Sequence, residues 1–309
     1  SVDIIRCEFV DNKADDACAI YIKEGEFTNV TIDSCNFTNN INTNNCVKSE
    51  CNYLYIQQSQ FSYDSGVATS RPIYVTGGFI AKNIKFENAN AADQGTTIYA
   101  TSSATVDIDH AILTNCGVST AIQSAIWSQS QVFSLTNSFI HFDSSSQAVG
   151  GVHLQVSKCD LQVIGNTFSN CYSADGWETQ AAFYYTISDA TTRDEHLTFS
   201  NNTFDHCKNG NNDGVAFSIH PATSNINFMQ NTFQNFGSEA TGSTYICLFK
   251  FQSNLLNIPL SIYNCTFKNI VSNSTNGGGA GFWIENAENC NLKFEKRYFL
   301  NSSVESGTN

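Results

Sequence analysis

The sequence predicts an all-β fold: a single right-handed parallel β-helix of about ten coils, spanning residues 1–309. Three observations carry this prediction. A short aromatic-and-amide motif is rewritten along the chain, a second apolar segment recurs between its copies, and no stretch keeps a helical period.

The motif is clearest at Asn166-Thr167-Phe168-Ser169-Asn170-Cys171, with copies at Asn202-Thr203-Phe204, Asn231-Thr232-Phe233 and Cys265-Thr266-Phe267. Degenerate copies extend it in both directions, giving anchors at Phe9, Phe37, Phe61, Phe86, Leu113, Phe139, Phe168, Phe204, Phe233, Phe267 and Phe299. Their separations run from 24 to 36 residues with a mean of 29, a period that belongs to solenoids. Between anchors lie Cys18–Ile22, Arg71–Val75, Thr96–Ala100, Ser124–Ser128, Val152–Val156, Ala182–Thr186, Val215–Ile219, Ile246–Lys250 and Ala280–Ile284. Each is short, β-branched or aromatic and bounded by turn formers, which reads as a strand. The run into each anchor also alternates, as in Val30–Phe37 and Leu161–Ile164, so each coil holds at least two strands. Coils that present their strands in the same order stack them in parallel, ~4.8 Å apart, into a rod roughly 50 Å long. Crossover geometry favours the right-handed winding.

Alternation assigns faces. With the anchor pointing inward, so does the residue two before it: Cys7, Cys35, Asn137, Asn166, Asn202, Asn231 and Cys265. Stacked amides there can satisfy one another away from water. The slot two after the anchor holds Asn39, Asn88, Asn115, Asn170, Asn235, Asn269 and Asn301, with His141 and His206 in two coils, and reads as a polar corner ladder. Six N-x-S/T sequons stand at Asn29, Asn36, Asn201, Asn264, Asn273 and Asn301. Asn36, Asn201 and Asn264 fall in outward slots open to glycans. Asn301 sits in the ladder slot and is set aside, leaving Asn29, Asn36, Asn201, Asn264 and Asn273 as glycosylation candidates.

Twelve cysteines without a CxxC pair or a Cys/His cluster fit an oxidising compartment better than a zinc site. They keep the coil phase. Cys7 with Cys35, Cys18 with Cys46, and Cys171 with Cys207 share slots in neighbouring coils, either as disulfide staples or as stacked thiols. Charged residues make up only 14%, so the polar surface falls to uncharged side chains, 36 Asn among them. The formal charge of −13 argues against nucleic acid or an anionic membrane as partner. No apolar run reaches the ~18–20 residues of a membrane span. The chain opens and closes inside its own repeat, so its expected partners are further copies of itself, stacked end to end, or adjacent segments of the same polypeptide.

The F-x-x-N spacing at Phe9–Asn12 and Phe37–Asn40 and the run Gly277-Gly278-Gly279-Ala280-Gly281-Phe282-Trp283-Ile284 resemble the FxxN and GGA(I/L/V) repeats of the polymorphic outer-membrane-protein family. Related repeats occur in secreted β-helix surface proteins of unicellular eukaryotes. The resemblance implies an exposed adhesive, coat or filament role at the cell surface and transfers no catalytic residue.

The same fold class hosts polysaccharide lyases and hydrolases, so function must be argued from sites. Val106-Asp107-Ile108-Asp109-His110 is similar to the W-I-D-H segment of pectate lyases, and Asp15-Asp16 to the paired acids of polygalacturonases, but the companion motifs of both families are missing. Two-carboxylate hydrolysis on this fold needs acids recurring in one slot of adjacent coils, and no such column is legible. No catalytic residue, cofactor or metal is assigned. The longest coil carries Asp175, Trp177, Glu178, Asp189, Arg193, Asp194, Glu195 and His196, where a binding loop would be expected. The turn Lys208–Gly214 lacks the spaced acids of a calcium loop. The expected function is a non-catalytic extracellular structural module. The alternatives are a polysaccharide lyase or glycoside hydrolase, and a glycan- or receptor-binding module.

Overall fold

The computed structural model describes the chain except residues 26–28, 42–43, 66–68, 92–94, 102–104, 117–122, 143–148, 157–159, 174–181, 188–195, 210–216, 221–224, 238–248, 253–258, 273–281, 286–290, 297, 301–302 and 305–309. The described residues form a parallel β-solenoid without a helix.

Each winding contributes three strands. A lead strand stacks from Val2–Ile5 through Asn29–Asp33, Tyr53–Gln57, Gly78–Glu87, Thr105–Thr114, Val132–Thr136, Asp160–Ile164, His196–Ser200, Asn225–Met229 and Pro259–Tyr263 to Asn291–Glu295. A short anchor strand follows each lead strand, and in Gly78–Glu87 and Thr105–Thr114 the two run on as one. The opposite wall stacks Ala17–Ile22, Asn45–Ser49, Arg71–Val75, Ile98–Ala100, Gln123–Ser128, Val149–Val156, Phe183–Ile187, Phe217–His220, Phe249–Gln252 and Phe282–Glu285. Pairing is parallel throughout these walls. Among the described residues one antiparallel bridge occurs, from Val149 to Tyr172.

The anchors stack above one another, with one correction. Register runs Phe9, Phe37, Phe61, Phe86, Leu113, Ile140, Phe168, Phe204, Phe233, Phe267, Phe299. Phe139, expected to be the anchor of its coil, lies outside at 40% exposure, while Ile140 is fully buried in its place. The reason is spacing. The last inward residue of every lead strand stands five before the anchor (Ile32 to Phe37, Val163 to Phe168), and five after Leu135 is Ile140. Asn137 and His141 move with this shift, so the inward slot of that winding is Ser138, and His141 ends a strand rather than a corner. The phenyl rings pile face to face at 4.3–5.2 Å in two runs separated by Leu113 and Ile140. Each stacked pair adds about 0.5–1.5 kcal/mol beyond the area it buries.

A corner separates lead from anchor strand, and one left-handed residue makes it in every winding: Arg6, Ser34, Gln58, Asn83, His110, Asn137, Gly165, Asn201, Gln230, Asn264 and Lys296, with φ from 47° to 70°. This conformation costs a non-glycine residue about 1 kcal/mol. The corner keeps the backbone ladder intact, since Arg6 N donates to Asp33 O at 2.9 Å, Ser34 N to Gln57 O at 3.1 Å and Asn201 N to Met229 O at 3.0 Å. A second left-handed corner follows most anchors, at Asp11, Asn39, Asn88, Asn115, Asn170, His206, Asn235 and Asn269. It is the polar ladder expected there. Asn301 lies outside the described residues.

The buried amide ladder stands directly after the first corner. Asn166 Oδ1 accepts the backbone N–H of Ser138 at 2.8 Å, Asn202 Oδ1 that of Asn166 at 2.9 Å, and Asn231 Oδ1 that of Asn202 at 3.0 Å. Each amide then donates to a lead-strand carbonyl of the winding before: Leu135, Val163 and Phe199 respectively. Cysteine and serine do the same work elsewhere in the column. Cys35 Sγ accepts from Cys7 N at 3.4 Å and Ser59 Oγ from Cys35 N at 3.1 Å, while the Cys265 thiol donates to Phe228 O at 3.6 Å. The F-x-x-N asparagines form a third, shorter ladder, in which Asn12 Nδ2 donates to Asn40 Oδ1 at 2.7 Å and Asn40 Nδ2 to Phe9 O at 2.7 Å.

Candidate functional site

The described residues singled out for chemistry, Asp15 with Asp16, Asp109 with His110, and His196, lie on different windings. Asp109 points outward from a lead strand, and His110 is the left-handed corner beside it. Asp109 Oδ1 accepts from Thr136 Oγ1 at 2.8 Å and Asn137 Nδ2 at 2.9 Å, with His110 Nδ1 at 2.9 Å. Partial burial pushes its pKa up, but the hydrogen bonds from Asn137, Thr136 and His110 outweigh that and hold the carboxyl below its ordinary range. Its column reads Asp33, Gln57, Lys82, Asp109, Thr136, Ile164. The two acids are three strands apart, about 14 Å at ~4.8 Å per strand, beyond the roughly 6.5–9.5 Å of an inverting pair. Asp205 and His206 repeat the arrangement at the second corner, with Nδ1 2.6 Å from the carboxylate and Asn235 Nδ2 donating to it at 2.8 Å. An aspartate followed by a left-handed histidine makes this contact through local geometry alone.

Asp16 is tied up by Lys48 at 2.8 Å, and the carbonyl of Asp15 accepts from Asn44 Nδ2 at 2.7 Å. Of the longest coil's loop, only His196 is described, exposed at the start of its strand. The others, Asp175, Trp177, Glu178, Asp189, Arg193, Asp194 and Glu195, lie outside the described residues, as do most of Lys208–Gly214 and the glycines of 277–281. No group of three metal-ligating side chains forms among the described residues.

Sequence reasoning missed an outer column on the opposite wall. Tyr21, Lys48, Tyr74, Tyr99, Trp127, His153 and Tyr184 lie in register. Tyr74 stacks on Tyr99 at 5.6 Å and Tyr99 on Trp127 at 4.3 Å, while His153 meets Trp127 and Tyr184 edge-on. Lys48 Nζ sits 4.8 Å from the Tyr21 ring centre and the Arg71 guanidinium 4.5 Å from that of Tyr99. The signal was the residue after each buried Ile, Val or Phe of the recurring apolar segment. A platform for sugar rings needs exposed aromatic faces. Here the faces are spent on one another and on the two cations, so the column braces the wall. Burial lowers the His153 pKa to about 4.

Of the sequon asparagines, Asn29 and Asn36 stand exposed on strands, Asn201 and Asn264 occupy left-handed corners, and Asn273 lies outside the described residues. Asn36 also lines a shallow groove with Glu8, Val10, Thr38, Gln60 and Ser62, on the outward face of the first three anchor strands.

The described cysteines, Cys7, Cys18, Cys35, Cys46, Cys51, Cys116, Cys171, Cys207 and Cys265, are free thiols, so none of the three expected pairs is bonded. At Cys7 with Cys35 and at Cys171 with Cys207, strands in register keep the two Cβ directions parallel, whereas a disulfide needs them to converge. Burial pushes the Cys35, Cys46, Cys116, Cys171 and Cys265 thiols up, Cys116 to about 11. No family model matches the chain, and no curated protein or solved structure matches it.

Proposed function

We propose that the chain is a non-catalytic structural module of an extracellular surface protein, of the adhesive, coat or filament kind, extended by stacking further windings on its ends. One observation carries the reading: Phe299 lies flat on Phe267 at 4.7 Å yet is 52% exposed, with Tyr298 and Leu300 exposed beside it. Phe299 is in core phase, and an inward ring left uncovered favours another winding against it, supplied by a second copy or by adjacent polypeptide. The F-x-x-N resemblance and the sequons at exposed Asn29 and Asn36 agree with a surface role. Buried thiols held protonated, such as Cys116 and Cys171, resist oxidation and so are compatible with that location.

The test is sedimentation and electron microscopy of the chain at rising concentration, beside Phe299→Asp. Rods that lengthen with concentration and shorten in the variant are expected. A wild-type chain that stays monomeric throughout, or that releases new reducing ends from polygalacturonate or a glycan panel in an Asp109-dependent manner, would overturn the proposal.

A further inference from the structure

The three stacked cysteine pairs differ in backbone. Around Cys7 and Cys35, and around Cys171 and Cys207, the anchor strands run in unbroken register. The Cys35 sulfur is also occupied as a ladder acceptor for Cys7 N. The strands carrying Cys18 and Cys46 slip: Ala17 pairs with Asn45 but Ile20 with Val47, so Cys18 and Ala19 together face Cys46. A bulge of this kind bends its strand and re-aims the side chains in it. It removes the parallel Cβ geometry that keeps the other pairs apart. The two thiols also differ in access, since Cys18 retains a little exposure at 8% while Cys46 has none. Ser70 Oγ stands 3.6 Å from Cys18 Sγ.

We propose that Cys18 and Cys46 form a thiol–disulfide exchange site, with Cys18 the attacking sulfur, Cys46 the resolving one, and a small disulfide such as oxidised glutathione the oxidant. The Cys18 thiolate attacks one glutathione sulfur, breaking the S–S bond and releasing a glutathione thiolate, which takes the Cys46 proton. The Cys46 sulfur then attacks Cys18 and expels the second glutathione. Two protein thiols are oxidised, and one disulfide is reduced to two thiols. The electrostatics agree with these roles. The hydrogen bond from Cys46 outweighs burial and brings Cys18 down to about 7, while burial drives Cys46 well above the ordinary thiol range. Cys18, the thiol of lowered pKa and the one of the two that keeps some access to solvent, stands beside a resolving partner, which is the arrangement exchange chemistry requires.

The folded chain is incubated with oxidised glutathione, quenched with iodoacetamide, digested and mapped by mass spectrometry. A cross-linked Cys18–Cys46 peptide lacking two hydrogens is expected, with Cys7, Cys35, Cys171 and Cys207 alkylated. Before oxidation, Cys18 should alkylate at least about tenfold faster than Cys116 at neutral pH. In Cys18→Ser, Cys46 should stay reduced. Cross-linking at the other pairs to the same extent, a Cys18 that remains alkylatable after prolonged oxidation, or glutathione found on Cys46 in Cys18→Ser would each overturn the proposal.

Discussion

Asparagine does two different things on either side of the anchor. Before it, Asn166, Asn202 and Asn231 are fully enclosed, and each satisfies one backbone donor and one backbone acceptor of neighbouring windings. After it, Asn39, Asn88, Asn170 and Asn235 are half-buried residues that all adopt φ near 50–60°, while their side chains make varied bonds or none in common, as from Asn88 Nδ2 to Tyr63 O at 2.9 Å and from Asn235 Nδ2 to Asp205 Oδ1 at 2.8 Å. The first column needs an oxygen or sulfur in a closed space. The second needs a backbone that tolerates the left-handed region. One residue type is therefore under two different demands four residues apart, and substitutions should separate them.

The largest effect is expected in the enclosed column. Asn202→Ala strands the Asn166 N–H and the Val163 carbonyl away from water, at about 1–3 kcal/mol per group, and should cost about 3–5 kcal/mol in urea unfolding. Asn202→Cys, which copies the native choice at Cys265, should recover part of that loss. Equal losses for Ala and Cys would show that packing rather than hydrogen bonding governs the slot.

His153 adds a pH-dependent loss. Its folded pKa is about 4 against an ordinary 6.5, so the unfolded chain takes up the proton first as the pH falls. Stability is fully present above 6.5 and declines between 6.5 and 4, by about 3 kcal/mol in all. Asp109 and Asp205, held below the ordinary 3.8, act only below this window. Urea midpoints at pH 7 and 4.5 should differ in the wild type and converge in His153→Phe; midpoints that still differ in the variant would remove His153 as the cause.

The smallest effect belongs to the half-buried corner after the anchor. Asn170→Ala should cost about 1 kcal/mol and Asn170→Gly almost nothing. A Gly variant as unstable as Ala would mean that the side chain, and not φ, matters there.

The period, the parallel stacking and the inward amides were legible because aromatics and asparagines recur in phase. Phe139 misled because Asn137-Ser138-Phe139 copies the Asn-x-Phe motif, whereas the five-residue step from Leu135 selects Ile140. The first corner was not legible, since Arg6, Ser34, Gln58 and Lys296 are not residues that announce a left-handed turn. Its hydrogen bonds to the next winding impose it. The bulge at Cys18 was hidden for a similar reason, because a register slip depends on the partner strand and not on either sequence alone. Asp109 and His110 drew notice as a motif and turned out to be a corner with its own hydrogen bonds.

The constant five-residue step has a consequence for how such a molecule can change. That arc is a gauge block: lengthening it by one residue would turn the next anchor outward, as Phe139 already is. All the variation from 24 to 36 residues per repeat must therefore be absorbed by the remaining arcs. Foreign peptides grafted into those arcs should leave the winding's pitch undisturbed, whereas a single residue added between Val163 and Phe168 should dislocate it.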